Sequence, residues 1–296
     1  MDIQNLTAFI AVSELSSFSK AADRLFITQP AVSKRISALE TELNTHLFDR
    51  IGRQVQLTEA GRALHPSALR ILAELEESKR AIGNLNQKVD GKLSIATSHH
   101  IGLHRLPSVL RSFTHKYPEV DIDIRFMDSE EACHLVLKGD VELAIATLPE
   151  EDWDNLHSQV IWHDPLDIVI SKLHPAHESD TLSIEQLREL PAILPSKNTF
   201  TRLLLEQALG LNEQNLNIAM ETNYLETIKM MVSIGLGWSV LPVSMLSEDI
   251  SQLNVIGVEF ERLLGVVSHE HRTLSNAARM LLSELEKEKN QDTSGP

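Results

Sequence analysis

Residues 18–40 read Phe18-Ser-Lys-Ala-Ala-Asp-Arg-Leu-Phe-Ile-Thr-Gln-Pro-Ala-Val-Ser-Lys-Arg-Ile-Ser-Ala-Leu-Glu40. The stretch predicts a short helix, a tight turn and a second helix. Ser19 is placed to cap a helix starting at Lys20, its hydroxyl accepting from an unpaired amide of the first turn. Ala21 and Ala22 are small enough for the second helix to approach closely, and Leu25 and Phe26 are expected to anchor the end of the first. Thr28 is the expected cap of the second helix. Pro30 falls in its first turn, where a missing N–H costs nothing. Val32, Ile36, Leu39 and Leu43 recur at spacings of 4, 3 and 4, one apolar face of an α-helix. Gln29, Ser33, Lys34 and Ser37 lie off that face. A helix with a greasy inner stripe and a polar outer face suits the DNA major groove. Glutamine reads an adenine edge, while serine and lysine suit phosphates or bases.

The flanks extend the pattern. Leu6, Phe9, Ile10 and Ser13 begin an earlier helix. Arg50-Ile-Gly-Arg-Gln-Val-Gln-Leu57 reads as two short strands turning at Gly52. Arg50 and Arg53 flank that turn, within reach of a phosphate or a narrow minor groove. Thr58 then caps a long helix. Leu64, Ala68, Ile71, Leu75, Ser78, Ile82, Leu85 and Val89 keep a 4-3-4-3 spacing, with Ser78 the one polar member. Packing on its own domain would call for a wider stripe. So narrow a heptad seam predicts a partner helix, most simply the same helix of a second chain. Asp90-Gly91 is expected to end it.

The segment resembles the winged helix-turn-helix of the LysR-type transcriptional regulators. The resemblance rests on Ala21-Ala22, Leu25, Thr28-Gln29-Pro30-Ala31-Val32-Ser33, Ile36 and Leu39-Glu40, then Leu47-Phe48, Arg50, Leu57-Thr58 and Ala60-Gly61. It implies a DNA-facing set of Ser19, Lys20, Gln29, Pro30, Ser33, Lys34, Arg35, Arg50 and Arg53. It also implies double-stranded promoter DNA as partner, homodimers joined to a homotetramer through effector domains, and a possible RNA polymerase contact. Two dimers would then grip adjacent sites and bend the DNA between them.

The 296-residue chain is 42% hydrophobic and 23% charged, an ordinary globular composition. No apolar run approaches the ~18 residues that cross a bilayer, and the start at Met1-Asp2-Ile3 lacks the pattern of a secretory signal. The lone cysteine excludes an intrachain disulfide framework and fits a reducing compartment. The cytoplasm is the expected location, with no membrane partner. The net charge is −15, yet residues 1–90 carry 11 basic and 11 acidic groups. Within 18–53 there are 6 basic and 4 acidic. The acidic excess lies beyond residue 90, so modest nonspecific DNA affinity with a real salt dependence is expected.

Beyond Lys92 the period changes. Strands are read at 93–97, 120–126, 141–147, 166–171, 192–194, 217–221 and 238–241. Helices are read near 102–115, 129–138, 183–189, 199–209 and 223–234. Strands alternating with helices predict an α/β sheet with parallel strands. Here too the chain resembles LysR-type regulators, whose effector domains have two α/β subdomains like a periplasmic binding protein. Arg188-Glu-Leu-Pro191 and Gly235-Leu-Gly237 with Leu241-Pro242 carry that part of the likeness. It implies strands crossing between subdomains near 161–166 and 262–268 and a closing helix at about 273–288. The chain from Asn290 onward is expected to be disordered, as a terminus. The expected layout is a DNA-binding domain over 1–58, a linker helix over 59–90 and an effector domain over 91–296. In that domain, subdomain I covers about 91–162 and 266–290, and subdomain II about 163–265.

In an open α/β sheet, ligands bind where strands end. Thr97-Ser98-His99-His100 stands at such an end, and Thr147 ends another strand. Thr199, Phe200 and Thr201 open a helix from the opposite wall. Free amides at helix starts receive anions. Thr97-Ser98-His99-His100 and Thr147 resemble the sulfur-assimilation branch of the family, which implies a small oxyanion or sulfur metabolite as effector. A carboxylate metabolite is the rival. His100 and His104 have a usable zinc spacing, but no further ligand is evident in sequence and no metal is assigned. Cys133 raises a redox reading, yet its acidic neighbours would raise a thiol pKa. His174, His177, His269 and His271 read as solvated surface. No phosphate-cradling loop, nucleophile elbow or His-Glu-x-x-His occurs. No catalysis and no cofactor are expected.

Overall fold

The computed structural model describes residues 1–51, 54–86, 88–178, 181–210 and 216–292. The chain forms two compact units that divide after Asn86.

The first unit opens with α1 (Ile3–Leu15), α2 (Phe18–Arg24) and α3 (Gln29–Leu43). Asp2 caps α1, its carboxylate accepting from Gln4 N at 2.8 Å. The cap of α2 is Ser17, whose Oγ accepts from Lys20 N at 3.3 Å, and Ser19 lies inside the helix. The helix starts earlier than expected because Phe18 is needed in the core. Thr28 holds the cap position of α3 with extended backbone but makes no side-chain cap bond, and Pro30 sits in the first turn. Val32, Ile36 and Leu39 are buried, while Leu43 is exposed beside Asn44, whose φ of 50° ends the helix. Phe26 does not anchor α2. It adopts φ 53° in the turn and is 96% exposed; Leu25 and Ile27 pack on the core instead.

Two short strands, β1 (Phe48–Ile51) and β2 (Gln54–Leu57), pair antiparallel with Phe48 opposite Leu57. The expected turn at Gly52-Arg53 lies outside the described residues. Phe48 meets Phe9 at 5.4 Å and Phe18 at 5.8 Å between ring centroids, so the strands close the core formed by the helices. Then comes α4 (Glu59–Asn84), capped by Thr58 Oγ1 accepting from Gly61 N at 3.0 Å. A Cβ on Gly61 would lie 2.3 Å from Leu47 O, so only glycine lets α4 pass this close to the strand start. The helix ends at Asn84, short of Asp90-Gly91. Val89 extends the heptad spacing but packs in the core of the second unit.

The second unit runs β3 (Gly91–Thr97), α5 (His99–His104), α6 (Leu106–Lys116), β4 (Val120–Phe126), α7 (Ser129–Lys138) and β5 (Leu143–Thr147). The single helical stretch expected near 102–115 is two helices. Pro107 cannot donate to the preceding turn, and the break falls at Arg105. The chain continues through β6 (Leu156–Ser171), α8 (Ile184–Glu189), β7 (Ala192–Leu194), α9 (Phe200–Ala208), β8 (Ile218–Glu221) and α10 (Leu225–Ser233). It ends with β9 (Ser239–Pro242), β10 (Ile250–Gln252), β11 (Phe260–His269) and α11 (Asn276–Asp292). Helix α11 carries the chain past Asn290, where disorder was expected; residues 293–296 lie outside the described residues.

The main sheet has the order β10-β6-β11-β5-β3-β4, with β9 also on β6. Strand β3 is parallel to β4 and β5, but β11 is antiparallel to both β5 and β6. The sheet is therefore mixed, not parallel throughout. The cause is the pair of crossing strands. Leu156–Leu166 of β6 pair with the whole of β11, while the last residues of β6 pair with β9 and β10. One strand thus serves two cores. The first is built on Leu93, Ile95, Phe113, Ile145 and Leu281, the second on Ile168, Leu187, Leu205, Trp238 and Val240. Each fully buried side chain of this size contributes ~1.5–3 kcal/mol. Helix α11 is pinned to α6 by Glu284, which accepts from Ser112 Oγ at 3.0 Å and Lys116 Nζ at 2.7 Å.

Candidate functional site

The outer face of α3 is polar. Gln29, Pro30 and Lys34 are exposed, as are Ser19 and Lys20 on α2. Gln29 Nε2 donates to Ser33 Oγ at 2.9 Å, one helical turn on, which holds the carboxamide along the helix. Arg35 turns aside, its Nη2 donating to Gln4 Oε1 on α1 at 2.7 Å. Arg53 and the side chain of Arg50 lie outside the described residues.

Helix α4 changes its surroundings along its length. Ala68 is buried and Leu64, Leu69 and Leu72 pack on the core of the first unit. Further on, Ile71 is 39% exposed, Ile82 67% and Leu85 79%. The seam is therefore used by its own domain at the start and left uncovered within this chain toward the end.

In the second unit, strand ends and helix starts enclose a cavity of about 50 Å³, room for a handful of waters. Ser98 and His100 come from the β3–α5 junction, Asp128, Ser129 and Glu130 from the start of α7, and Thr147 from the end of β5. Thr199 and Thr201 come from the start of α9, Asn223 from before α10, and Arg262 from β11. Ser98 caps α5, and Thr199 Oγ1 caps α9 while donating to Ser196 O at 2.8 Å. Ser129 Oγ accepts from Thr147 N at 3.1 Å.

Two expected members are turned elsewhere. Thr97 is fully buried and its Oγ1 donates to Ile145 O at 2.7 Å, bracing β3 against β5. The Phe200 ring packs toward Trp153, 5.9 Å between centroids, in a separate pocket. His99 lines the rim, with its ring 4.8 Å from Tyr224 and 5.5 Å from Phe126.

The strongest charge in the cavity is one the sequence reading missed. Arg262 is 4% exposed, and its Nε donates to Asp164 Oδ2 at 2.7 Å. The two residues face each other in the β6–β11 register. Arg262 Nη1 donates to Thr201 Oγ1 at 3.4 Å, while Nη2 is buried with no partner among the described residues. Burial lowers the guanidinium pKa and Asp164 raises it. The group keeps its charge. Acidic groups line the same cavity. Glu130 accepts from Phe200 N, and Asn223 Nδ2 donates to Asp128 Oδ2 at 2.6 Å. Burial pushes the Glu130 carboxyl up.

His100 is 6% exposed, and burial with the nearby Arg262 charge pushes it down to about 4, so it is neutral at pH 7. On its far side is a larger pocket of about 590 Å³. There His104 Nε2 lies 2.9 Å from Glu226 Oε1, and His100 Nδ1 lies 3.6 Å from the same oxygen. Glu226 was invisible in the sequence because 122 residues separate it from His104. Cys133 is buried, and burial followed by Glu130 pushes its thiol up to about 12, far from a reactive thiolate. Among the described residues no helix is long and apolar enough to cross a membrane.

Two family models match the chain. One, described as a bacterial regulatory helix-turn-helix protein of the lysR family, covers residues 3–62, and the other, the LysR substrate binding domain, covers residues 86–289. An uncharacterized HTH-type transcriptional regulator of Azotobacter vinelandii is 65% identical over 107 residues, 36% of this chain and 74% of that one. A probable RuBisCO transcriptional regulator of Trieres chinensis is 31% identical over 295 residues, 96% of each chain. Among solved structures, full-length CbnR complexed with its target DNA has a TM-score of 0.62 at 21% identity, covering 98% of this chain and 99% of that one.

Proposed function

We propose that this chain, which belongs to the LysR family of bacterial transcriptional regulators, answers to a small anion held against Arg262. The family fixes the broad function: a DNA-binding transcriptional regulator with an effector-binding domain. The effector class is our reading, and one observation carries it. Arg262 presents a buried amino group without an acceptor to a cavity ringed by short hydroxyls. A buried cationic donor left unpaired is costly, and an oxyanion would satisfy it. A cavity of about 50 Å³ suits a compact acceptor such as sulfate or sulfite, or a short carboxylate, better than an aromatic acid. Ser98, Thr147 and Thr201 are the hydroxyls placed to reach it. Burial raises the Glu130 carboxyl pKa, so a falling pH removes a negative charge from the cavity wall.

Calorimetry of the full chain against sulfate, sulfite, thiosulfate, O-acetylserine and a panel of carboxylates tests this. Ser98→Ala and Thr147→Val are each expected to weaken the bound anion about tenfold, the worth of a hydrogen bond to a charged group. Affinity is expected to rise as pH falls toward the Glu130 pKa, and Glu130→Gln to flatten that dependence. Tight binding of an aromatic acid, indifferent to Ser98→Ala and Thr147→Val, would sink the anion reading.

On DNA, Gln29 and Ser33 read base edges while Lys34 neutralises the backbone. Gln29→Ala is expected to relax base preference. Lys34→Ala is expected to weaken all sequences about equally and to flatten the salt slope by about one unit. If both variants kept wild-type affinity and preference, another surface would be the reader. The remaining parts of the reading are a cytoplasmic protein without catalytic activity, dimers through α4 that pair into tetramers, and contact with RNA polymerase at the promoter.

A further inference from the structure

Beyond the effector cavity, the larger pocket on the far side of His100 holds a second constellation. His100 and His104 stand four residues apart on α5, so their imidazoles share one face. Glu226 comes from the first turn of α10. One nitrogen of each histidine and one carboxylate oxygen all lie within 4.8 Å of one another. His100 Nδ1 is buried and makes no hydrogen bond among the described residues, although it points at the Glu226 oxygen from 3.6 Å. An unpaired buried nitrogen is the feature a simple His104–Glu226 pair does not account for.

We propose that His100, His104 and Glu226 hold a divalent transition-metal ion of the zinc class. Two imidazoles and one carboxylate are an established donor set for such an ion, which sits about 2.0–2.2 Å from each ligand. His104 and Glu226 are 46% and 39% exposed, so rotation of their side chains closes the remaining distance, and the fourth position faces the open pocket. The local charge balance allows it. Arg262, Arg105 and Lys229 lie near, but Asp164 sits between the two arginines, and Asp249 borders the same pocket as Lys229. The ion would join α5, which packs on the core of β3 and β5, to α10, which packs on the core of β6 and β7. It would act as a removable staple across the unit that houses the effector cavity. This inference does not depend on which effector that cavity takes.

The test is a titration of the full-length protein, free of tag histidines and stripped with EDTA, with Zn²⁺, and with Co²⁺ for its visible absorption. Wild type is expected to bind one ion per chain and to give the intense spectrum of a four-coordinate Co²⁺ site. His104→Ala and Glu226→Gln, both at exposed positions, are each expected to lower affinity at least about tenfold and to bleach the cobalt bands. His271→Ala is expected to change neither. Failure of wild type to bind, or equal affinity in His104→Ala, Glu226→Gln and wild type, overturns the site.

Discussion

Arg262→Leu is expected to destabilise the second unit by about 3 kcal/mol, because it takes the hydrogen-bonded partner from the buried Asp164 carboxylate. Asp164 is 2% exposed and takes its closest bond from Arg262 Nε. Arg105, at 3.8 Å, stays as a more distant partner of the same carboxylate. Pairing the change with Asp164→Leu should recover most of the loss, since two apolar groups of similar size need no partner. Urea unfolding followed by tryptophan fluorescence measures this directly. Trp153, Trp162 and Trp238 are the only tryptophans and all lie in the second unit, so the signal ignores the DNA-binding head. A loss below about 1 kcal/mol in the single variant would mean that water or another cation reaches Asp164.

Leu75→Asp combined with Ile82→Asp is expected to split the dimer and to lower operator affinity by about 10²–10⁴, the avidity contributed by a second linked head. Each change puts a charge into an apolar seam. Ile82 is 67% exposed in the single chain, so the folded monomer should tolerate it. Sedimentation reports the assembly and DNA titration the avidity. A double variant that sediments as wild type would show that α4 is not the joint.

The head was legible because its signals are local. Cap, turn and apolar stripe fall within some twenty residues, and errors there are small and physical. Ser17 takes the cap from Ser19 because Phe18 must turn inward. Phe26 reads as an anchor by composition but occupies a left-handed turn position that leaves it in solvent. The seam misled at its end because heptad spacing does not say which core a residue joins, and Val89 keeps the period while packing elsewhere. The cavity was half legible. Strand ends and helix starts pointed to Ser98, His100, Thr147 and Thr199, but spacing cannot tell that Thr97 turns back to a backbone carbonyl. Arg262 and Glu226 depend on partners 98 and 122 residues away. A signal for Arg262 did exist. It stands in phase with Leu264 and Val266 on β11, so a charge occupied a position patterned for the core.

The facing pair of Arg262 and Asp164 sits where β6 leaves one core for the other. In mechanical terms this is a shared joint: the same strand pair carries both cores, so strain set at this point is felt by each. An anion held against Arg262, as proposed, would therefore press on both cores through the same few atoms.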